Sequence, residues 1–208
     1  MPSKKLEKTK KSKQVFSIKK LIGLIFIALA LFFPIKTYWP VLTAEVNYQV
    51  FKKNTELVEG IKPIPIDSQF SIIIPKINAN AKVVRNVNPY EPKEYQKALT
   101  QGVAHASGTA TPDQNGNIFI FAHSATNWYQ ANQYNAVFYL LNKLETGDSI
   151  IIYFNNIPYN YSVDEIKFVK PTEVDYLSNQ LNTNQLTLMT CWPPGTTLKR
   201  LIVVATKK

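Results

Sequence analysis

The chain holds one cysteine and two histidines in 208 residues. A single cysteine excludes an internal disulfide framework, so Cys191 is either a buried filler or a free reactive thiol. With two histidines, no C-x-x-C and no H-x-x-x-H, the ligand sets of ordinary zinc sites are missing. G-x-G-x-x-G and Walker-type loops are also missing. The acids Glu145, Asp148, Glu165, Glu173 and Asp175 are scattered. Folding can still assemble a calcium site, but nothing in their spacing announces one. No cofactor is expected. There is no internal repeat, and no low-complexity segment apart from a lysine-rich start.

Positive charge is plentiful, and its location decides what it means. The net charge is +10, yet residues 1–20 alone hold eight lysines against Glu7. The remaining residues carry 16 basic and 13 acidic groups. Basicity is therefore a property of the tail. No basic stripe marks the rest of the chain, and nucleic acid is not an expected partner.

The uncharged run L-I-G-L-I-F-I-A-L-A-L-F-F-P-I follows at residues 21–35. Its fifteen residues reach about 22 Å as a helix, short of a hydrocarbon core of roughly 30 Å. If Lys36 snorkels, the span extends to Leu42, with Tyr38 and Trp39 at the interface. The lysines put the N-terminus in the cytoplasm by the positive-inside rule, and the remainder outside. A cleaved signal peptide is the competing reading. Ala28-Leu29-Ala30 has the small-x-small form but lies inside the apolar run, and Leu42-Thr43-Ala44 has a large residue where a small one is wanted. An uncleaved anchor is favoured.

Four segments are expected: a basic cytoplasmic tail (1–20), a transmembrane signal anchor (21–42), a stalk (43–68) and a catalytic domain (69–208). Within the last, F-S-I-I-I-P-K-I and A-K-V-V read as short strands. Residues 89–99 have helix-start chemistry, with acids early and lysines late. The stretch T-Q-G-V-A-H-A-S-G-T-A-T-P-D-Q-N-G-N reads as turns leading into N-I-F-I-F-A. Val137, Leu140, Leu141 and Leu144 have helical spacing within 128–144. S-I-I-I-Y-F, an Asn155-Asn156 hairpin, I-P-Y-N-Y-S-V, E-I-K-F-V, L-T-L-M-T and L-I-V-V-A-T bring the count to about eight strands. Many strands and few helices predict a mainly β fold, a barrel or a sandwich.

Three chemistry-bearing residues stand at strand ends. Cys191 closes L-T-L-M-T and abuts Trp192-Pro193-Pro194-Gly195; Arg200 follows nine residues later at the start of the return strand. A hairpin there sets thiol and guanidinium side by side. His123 ends I-F-I-F-A-H. A thiol with an ordinary pKa near 8.5 needs a neighbouring base, and a fixed guanidinium suits an oxyanion. Each has an ordinary alternative: filler for the cysteine, a structural ring for the histidine, an edge charge for the arginine. His105, among loop formers, is the weaker histidine.

The run T-L-M-T-C-W-P-P-G-T-T-L-K-R-L-I-V resembles the sortase signature T-L-x-T-C…R-L-x-V, and G-N-I-F-I-F-A-H-S resembles the stretch carrying that family's histidine. I-I-I-P-K-I, V-F-Y-L-L-N-K-L-E-T-G-D-S-I-I-I and Y-N-Y-S-V-D-E-I-K-F-V-K-P extend the likeness over residues 70–206. The resemblance implies an eight-stranded β-barrel with short helices, preceded by one N-terminal transmembrane helix. It implies Cys191 as nucleophile, His123 as acid/base and Arg200 as oxyanion partner, with Thr190 and Trp192 binding substrate. The implied reaction is cleavage of an L-P-x-T-G-like sorting signal to a thioacyl-enzyme. Transfer to an amine of a cell-wall peptide or a pilin lysine would follow. The short Cys-to-Arg spacing and P-x-G turn look class C, D or E rather than class A, although no D-P-W or D-P-F lid stands upstream. Two rivals are an L,D-transpeptidase, whose usual S-x-G-C-x-R run is missing, and a peptide-binding barrel without catalysis.

Overall fold

The computed structural model describes residues 18–55, 63–124, 137–177 and 184–208. The chain forms two compact units, Met1–Thr37 and Tyr38–Lys208. The first seventeen residues of the expected basic tail lie outside the described residues, as does 56–62 of the expected stalk.

Helix α1 (Ile18–Thr55) begins in the first unit and ends in the second. It runs well past the residue at which the sequence reading starts the stalk. No glycine or proline interrupts residues 41–55, and Gln49 Nε2 donates to Glu45 Oε1 one turn away at 3.1 Å. Among the described residues no helix is long and apolar enough to cross a membrane.

The second unit is a closed barrel. Its strands are β1 (Phe70–Ile74), β2 (Ala79–Val87), β3 (Val103–Ala106), β4 (Gly116–Phe121), β5 (Ser149–Phe154), β6 (Ile157–Val169), β7 (Asn184–Trp192) and β8 (Lys199–Lys207). Their order is β1-β2-β3-β4-β7-β8-β6-β5, closed by β1 against β5. The β2/β3 and β4/β7 neighbours are parallel, and the rest are antiparallel. Parallel neighbours require a crossover. Helix α2 (Pro92–Leu99) supplies the one between β2 and β3, with Pro92 in its first turn and Glu91 capping Lys93 N.

Local chemistry sets the corners. Pro75 cannot donate to a ladder, so β1 stops there and a 3₁₀ turn, Pro75–Ile77, follows. Asn155 and Asn156 take positive φ (50° and 67°) in the two-residue β5–β6 turn, which asparagine tolerates. Gly102 admits no side chain: a Cβ there would stand 2.2 Å from the Lys82 carbonyl oxygen. Inside the barrel, Ile72, Ile74, Ile150, Ile152, Leu186, Leu188, Leu201 and Val203 are fully buried, each contributing roughly 2 kcal/mol by burial. The chain entering the barrel is fastened to β2, where Asn80 accepts from Ile66 N at 3.0 Å and donates to Ile64 O at 2.8 Å.

The expected barrel and strand count stand, but three readings change. The stretch around His105 is strand β3, not a turn. Its small residues fit because every one of them is buried. The two runs on either side of Asp164 are a single strand, β6, with an irregularity in its pairing between Val163 and Glu165. Leu140, Leu141 and Leu144 are buried as their spacing suggests, but in a 3₁₀ turn, Leu141–Lys143, rather than a helix. The rest of that expected helix, up to residue 136, lies outside the described residues.

Candidate active site

Strand β7 carries Cys191 near its end and lies between β4 and β8. On one side Cys191 pairs directly with Arg200. On the other, β4 and β7 run parallel in register up to Phe121 opposite Met189. The match continues one residue further, with Ala122 N donating to Met189 O at 3.1 Å. His123 follows, two residues beyond the end of β4. Neighbouring strands lie about 4.8 Å apart, so thiol and guanidinium start from adjacent backbone positions on β7 and β8.

Side-chain alternation puts Cys191 and Arg200 on one face. Leu186, Leu188 and Thr190 point into the barrel, as do Leu201, Val203 and Ala205 opposite them, all nearly inaccessible. Cys191 and Arg200 belong to the other set, with Met189 and Ile202 behind them. On β4 the same outer set is Phe119 and Phe121, the latter standing two residues before His123. Cys191, His123 and Arg200 are each half-buried, covered enough to be held and open enough to be reached.

The walls come from α2 and the β6–β7 connection. From α2, the Tyr95 ring meets Phe121 edge-on at 6.3 Å, and Gln96 Oε1 lies 3.3 Å from Nε2 of His123. From the connection, the Tyr176 carbonyl accepts from Asn117 Nδ2 at 2.9 Å, and Thr187 Oγ1 donates to Asn117 Oδ1 at 2.9 Å. Asn117 and Thr187 are buried polar side chains on β4 and β7. They tie that connection to the start of β4, six residues before His123.

Each charged group has a physical setting. Burial pushes His123 below the ordinary histidine range, so its ring is neutral and able to accept a proton at neutral pH. Arg200 Nη1 donates to Thr197 O and Lys199 O, each at 3.2 Å. These bonds use part of the guanidinium fork and leave the rest for another acceptor. The β7–β8 loop that supplies Thr197 is itself fixed. Thr196 N donates to Pro193 O at 3.0 Å, and Gly195 takes a φ of +77°. Cys191 is a free cysteine.

Thr190 and Trp192 do not join this face. Thr190 is 1% exposed and points into the barrel, where its Oγ1 donates to Ala122 O at 2.9 Å. It stands behind the site and ties β7 to the residue before His123. Trp192 alternates with Cys191 and packs against Phe168, ring centroids 5.3 Å apart, at the end of the barrel. Strand alternation, which neighbourhood in sequence conceals, separates both residues from the thiol. Thr190→Val removes the hydroxyl at nearly constant volume and costs about 1 kcal/mol. We expect the melting temperature to fall by about 2–4 °C and kcat by about tenfold through His123, read by thermal melts and steady-state kinetics.

His105 is 2% exposed and structural in every contact. Nδ1 accepts from Asn86 N at 3.2 Å, so Nε2 holds the proton and donates to Ala110 O at 2.9 Å, with Thr109 Oγ1 at 3.1 Å. Burial is the main cause lowering its pKa; the Ala110 bond opposes this and the Arg85 charge adds to it. A folded pKa below the ordinary histidine value of about 6.5 means the unfolded chain binds more protons. Stability is therefore complete above about pH 6.5 and is lost as pH falls from there through the folded value. Urea melts at about pH 7.5 and about pH 5 check this, and His105→Gln flattens the difference.

Gln96 was not legible as a site residue, because nothing in residues 89–99 marks which side chain meets a strand end. Asn117 likewise carries no sequence signal beyond its place before a strand.

A closed barrel with thiol and guanidinium paired on neighbouring strands, and an imidazole just past the end of a third, is the frame of a cysteine acyl-transferase. Residues 72–208 match the profile of the sortase domain, and the chain belongs to the sortase family. It is 28% identical over 160 residues to Sortase D of Bacillus subtilis (strain 168), covering 76% of this chain and 67% of that one. The fold is similar to a Clostridium perfringens sortase D5 transpeptidase, with 25% identity and a TM-score of 0.56, over 80% of this chain and 99% of that one. It is also similar to a Clostridium perfringens sortase C solved with the C-terminal cell wall sorting motif, with 25% identity and a TM-score of 0.56, over 79% and 87% of the two chains. These relatives are named for classes C and D, the side of the family the short Cys-to-Arg spacing suggests. Sortases are cysteine transpeptidases associated with the cell surface, and this chain is such an enzyme.

Proposed function

We propose that this protein cleaves an L-P-x-T-G-like sorting signal of exported surface proteins and transfers the protein to a surface amine. The observation that carries the reading is Cys191 paired with Arg200 on one side of β7, with His123 two residues past the end of β4 on the other. In this mechanism the thiol proton passes to His123, and Sγ attacks the carbonyl carbon of the scissile peptide bond. The free donors of Arg200 bond the tetrahedral oxygen as its charge develops. His123 then gives the proton to the departing amine, leaving a thioester on Cys191. An acceptor amine from a cell-wall peptide or a pilin lysine loses a proton to His123 and attacks the thioester, and Cys191 is regenerated. No cofactor enters any step of this mechanism.

The membrane reading rests on residues 21–35. Leu21, Ile22, Leu24, Ile25, Phe26, Ile27, Leu29, Leu31, Phe32 and Ile35 are all exposed, an apolar surface on every side of the helix, as lipid requires. Extension through Leu42 gives the length to span, with the lysine-rich end cytoplasmic and the barrel extracellular. Nothing in the nearly balanced charge of the barrel asks for nucleic acid.

The test uses the full chain in detergent with L-P-x-T-G and L-A-x-T-G peptides, plus triglycine or a lysine amine, read by mass spectrometry. A transfer product is expected. Failure to process any peptide, together with no labelling of Cys191 by a thiol-reactive peptidyl probe, would leave the non-catalytic barrel in its place. Arg200→Lys should cost about 10²–10³ in kcat, since a point charge cannot hold two carbonyls and an oxyanion at once. Unchanged kcat would remove Arg200 from the mechanism.

A further inference from the structure

The contact between α2 and His123 has no part in the roles assigned so far. Gln96 Oε1 lies 3.3 Å from Nε2 of His123. An amide oxygen can only accept, so the hydrogen bond requires a proton on Nε2 and leaves Nδ1 bare in the neutral ring. We propose that Gln96 is a positioning residue: its amide oxygen fixes His123 as the Nε2–H tautomer, making Nδ1 the atom that exchanges a proton with Cys191. This inference rests on the role proposed above for His123. The proton leaves Sγ for Nδ1, and the same proton later passes from Nδ1 to the departing amine.

The surroundings favour Gln96 for this work. Helix α2 is capped at Glu91 and packs against β2 and β3, so Gln96 stands on a fixed element. Cys191 on β7 and Arg200 on β8 are the other titratable and charged groups of the site. On β3, His105 faces the barrel interior. On α2 the ionisable groups are Lys93, Glu94, Tyr95 and Lys97, and Glu94 is engaged by Asn88 N at 2.8 Å. The segment that follows the site, 125–136, contains no charged residue, only Tyr129 and Tyr134 among groups that titrate. Burial is the cause that lowers His123. An amide acceptor on Nε2 bonds the ring in both protonation states and so steadies the imidazolium that burial disfavours.

With only two histidines, ring-nitrogen NMR on the ¹⁵N-histidine-labelled full chain in detergent micelles reads the tautomer directly, and His123→Ala assigns the signals. The expected wild-type signature for neutral His123 is protonated Nε2 with bare Nδ1. Gln96→Met removes the acceptor and should mix the tautomers, lower the His123 pKa by about half a unit and reduce kcat with KM unchanged. Gln96→Glu should raise that pKa by about one unit. A residue that merely braces α2 would not shift the pKa in opposite directions in the two variants. An Nδ1–H tautomer in the wild type, or equal or absent shifts in the variants, overturns the proposal. If Gln96→Met does not fold, the wild-type tautomer and Gln96→Glu still decide. Wild-type transfer with the wrong tautomer refutes Gln96 alone; absent wild-type transfer refutes the proposed function itself.

Discussion

Cys191→Ala abolishes transfer and thioester formation, with a loss of about 10⁴-fold or more, while the barrel melts within about 1 kcal/mol of the parent. The asymmetry follows from where the thiol sits. Cys191 is half-buried on the outer face of β7, at the end of the strand, and not among the core side chains that hold β7 to its neighbours. Losing one sulfur atom there removes little packing. Its backbone pairing to Arg200 is independent of side-chain identity. The chemistry has no substitute: neither His123 nor Arg200 can form the thioester. Single-turnover assays and thermal melts on the same preparation separate the two effects. Appreciable transfer by the alanine variant, from a fold that melts normally, would rule out the mechanism.

His123→Ala comes next in size, with kcat/KM expected to fall by about 10²–10⁴-fold. The ring is asked to act twice, taking the thiol proton and returning it to a poor leaving amine. Burial keeps it neutral over a wider pH range than an exposed histidine, so the wild-type rate should hold below about pH 6.5. The alanine variant has lost the group that takes the thiol proton, so its residual rate should no longer follow the histidine limb of the profile. Steady-state pH profiles of both proteins give the comparison. A variant within about tenfold of the wild type, with an unchanged profile, would assign the base to another residue.

The parts of the site legible in the sequence are those set by local patterns. L-T-L-M-T-C and R-L-I-V-V-A read as strands joined by a short Pro/Gly loop, which by itself brings Arg200 beside Cys191. His123 reads as a strand end for the same reason. The parallel pairing of β4 with β7 is not local: it joins segments far apart in sequence, and only that pairing brings the end of β4 that leads to His123 beside the end of β7 that carries the thiol. Facing was the other hidden quantity. Thr190 and Trp192 adjoin Cys191 in sequence but point away from it, and period-2 alternation gives that result only once the strand is known to reach Trp192. Strand β3 was illegible because G-V-A-H-A-S-G carries turn residues, and burial of its small side chains beside α2 outweighs that propensity. The long helix α1 hid its extent for the opposite reason, since the apolar residues 21–35 and the more polar residues that follow share one backbone conformation.

The most direct test of the account incubates the full chain with an L-P-x-T-G peptide and no acceptor amine, then quenches in acid for intact and peptide-mapped mass spectrometry. The account predicts an acyl adduct of the N-terminal peptide fragment on Cys191, absent in Cys191→Ala and discharged when triglycine or a lysine amine is added. Peptide cleaved by the wild type with no adduct on Cys191, or an adduct on another residue, would contradict it.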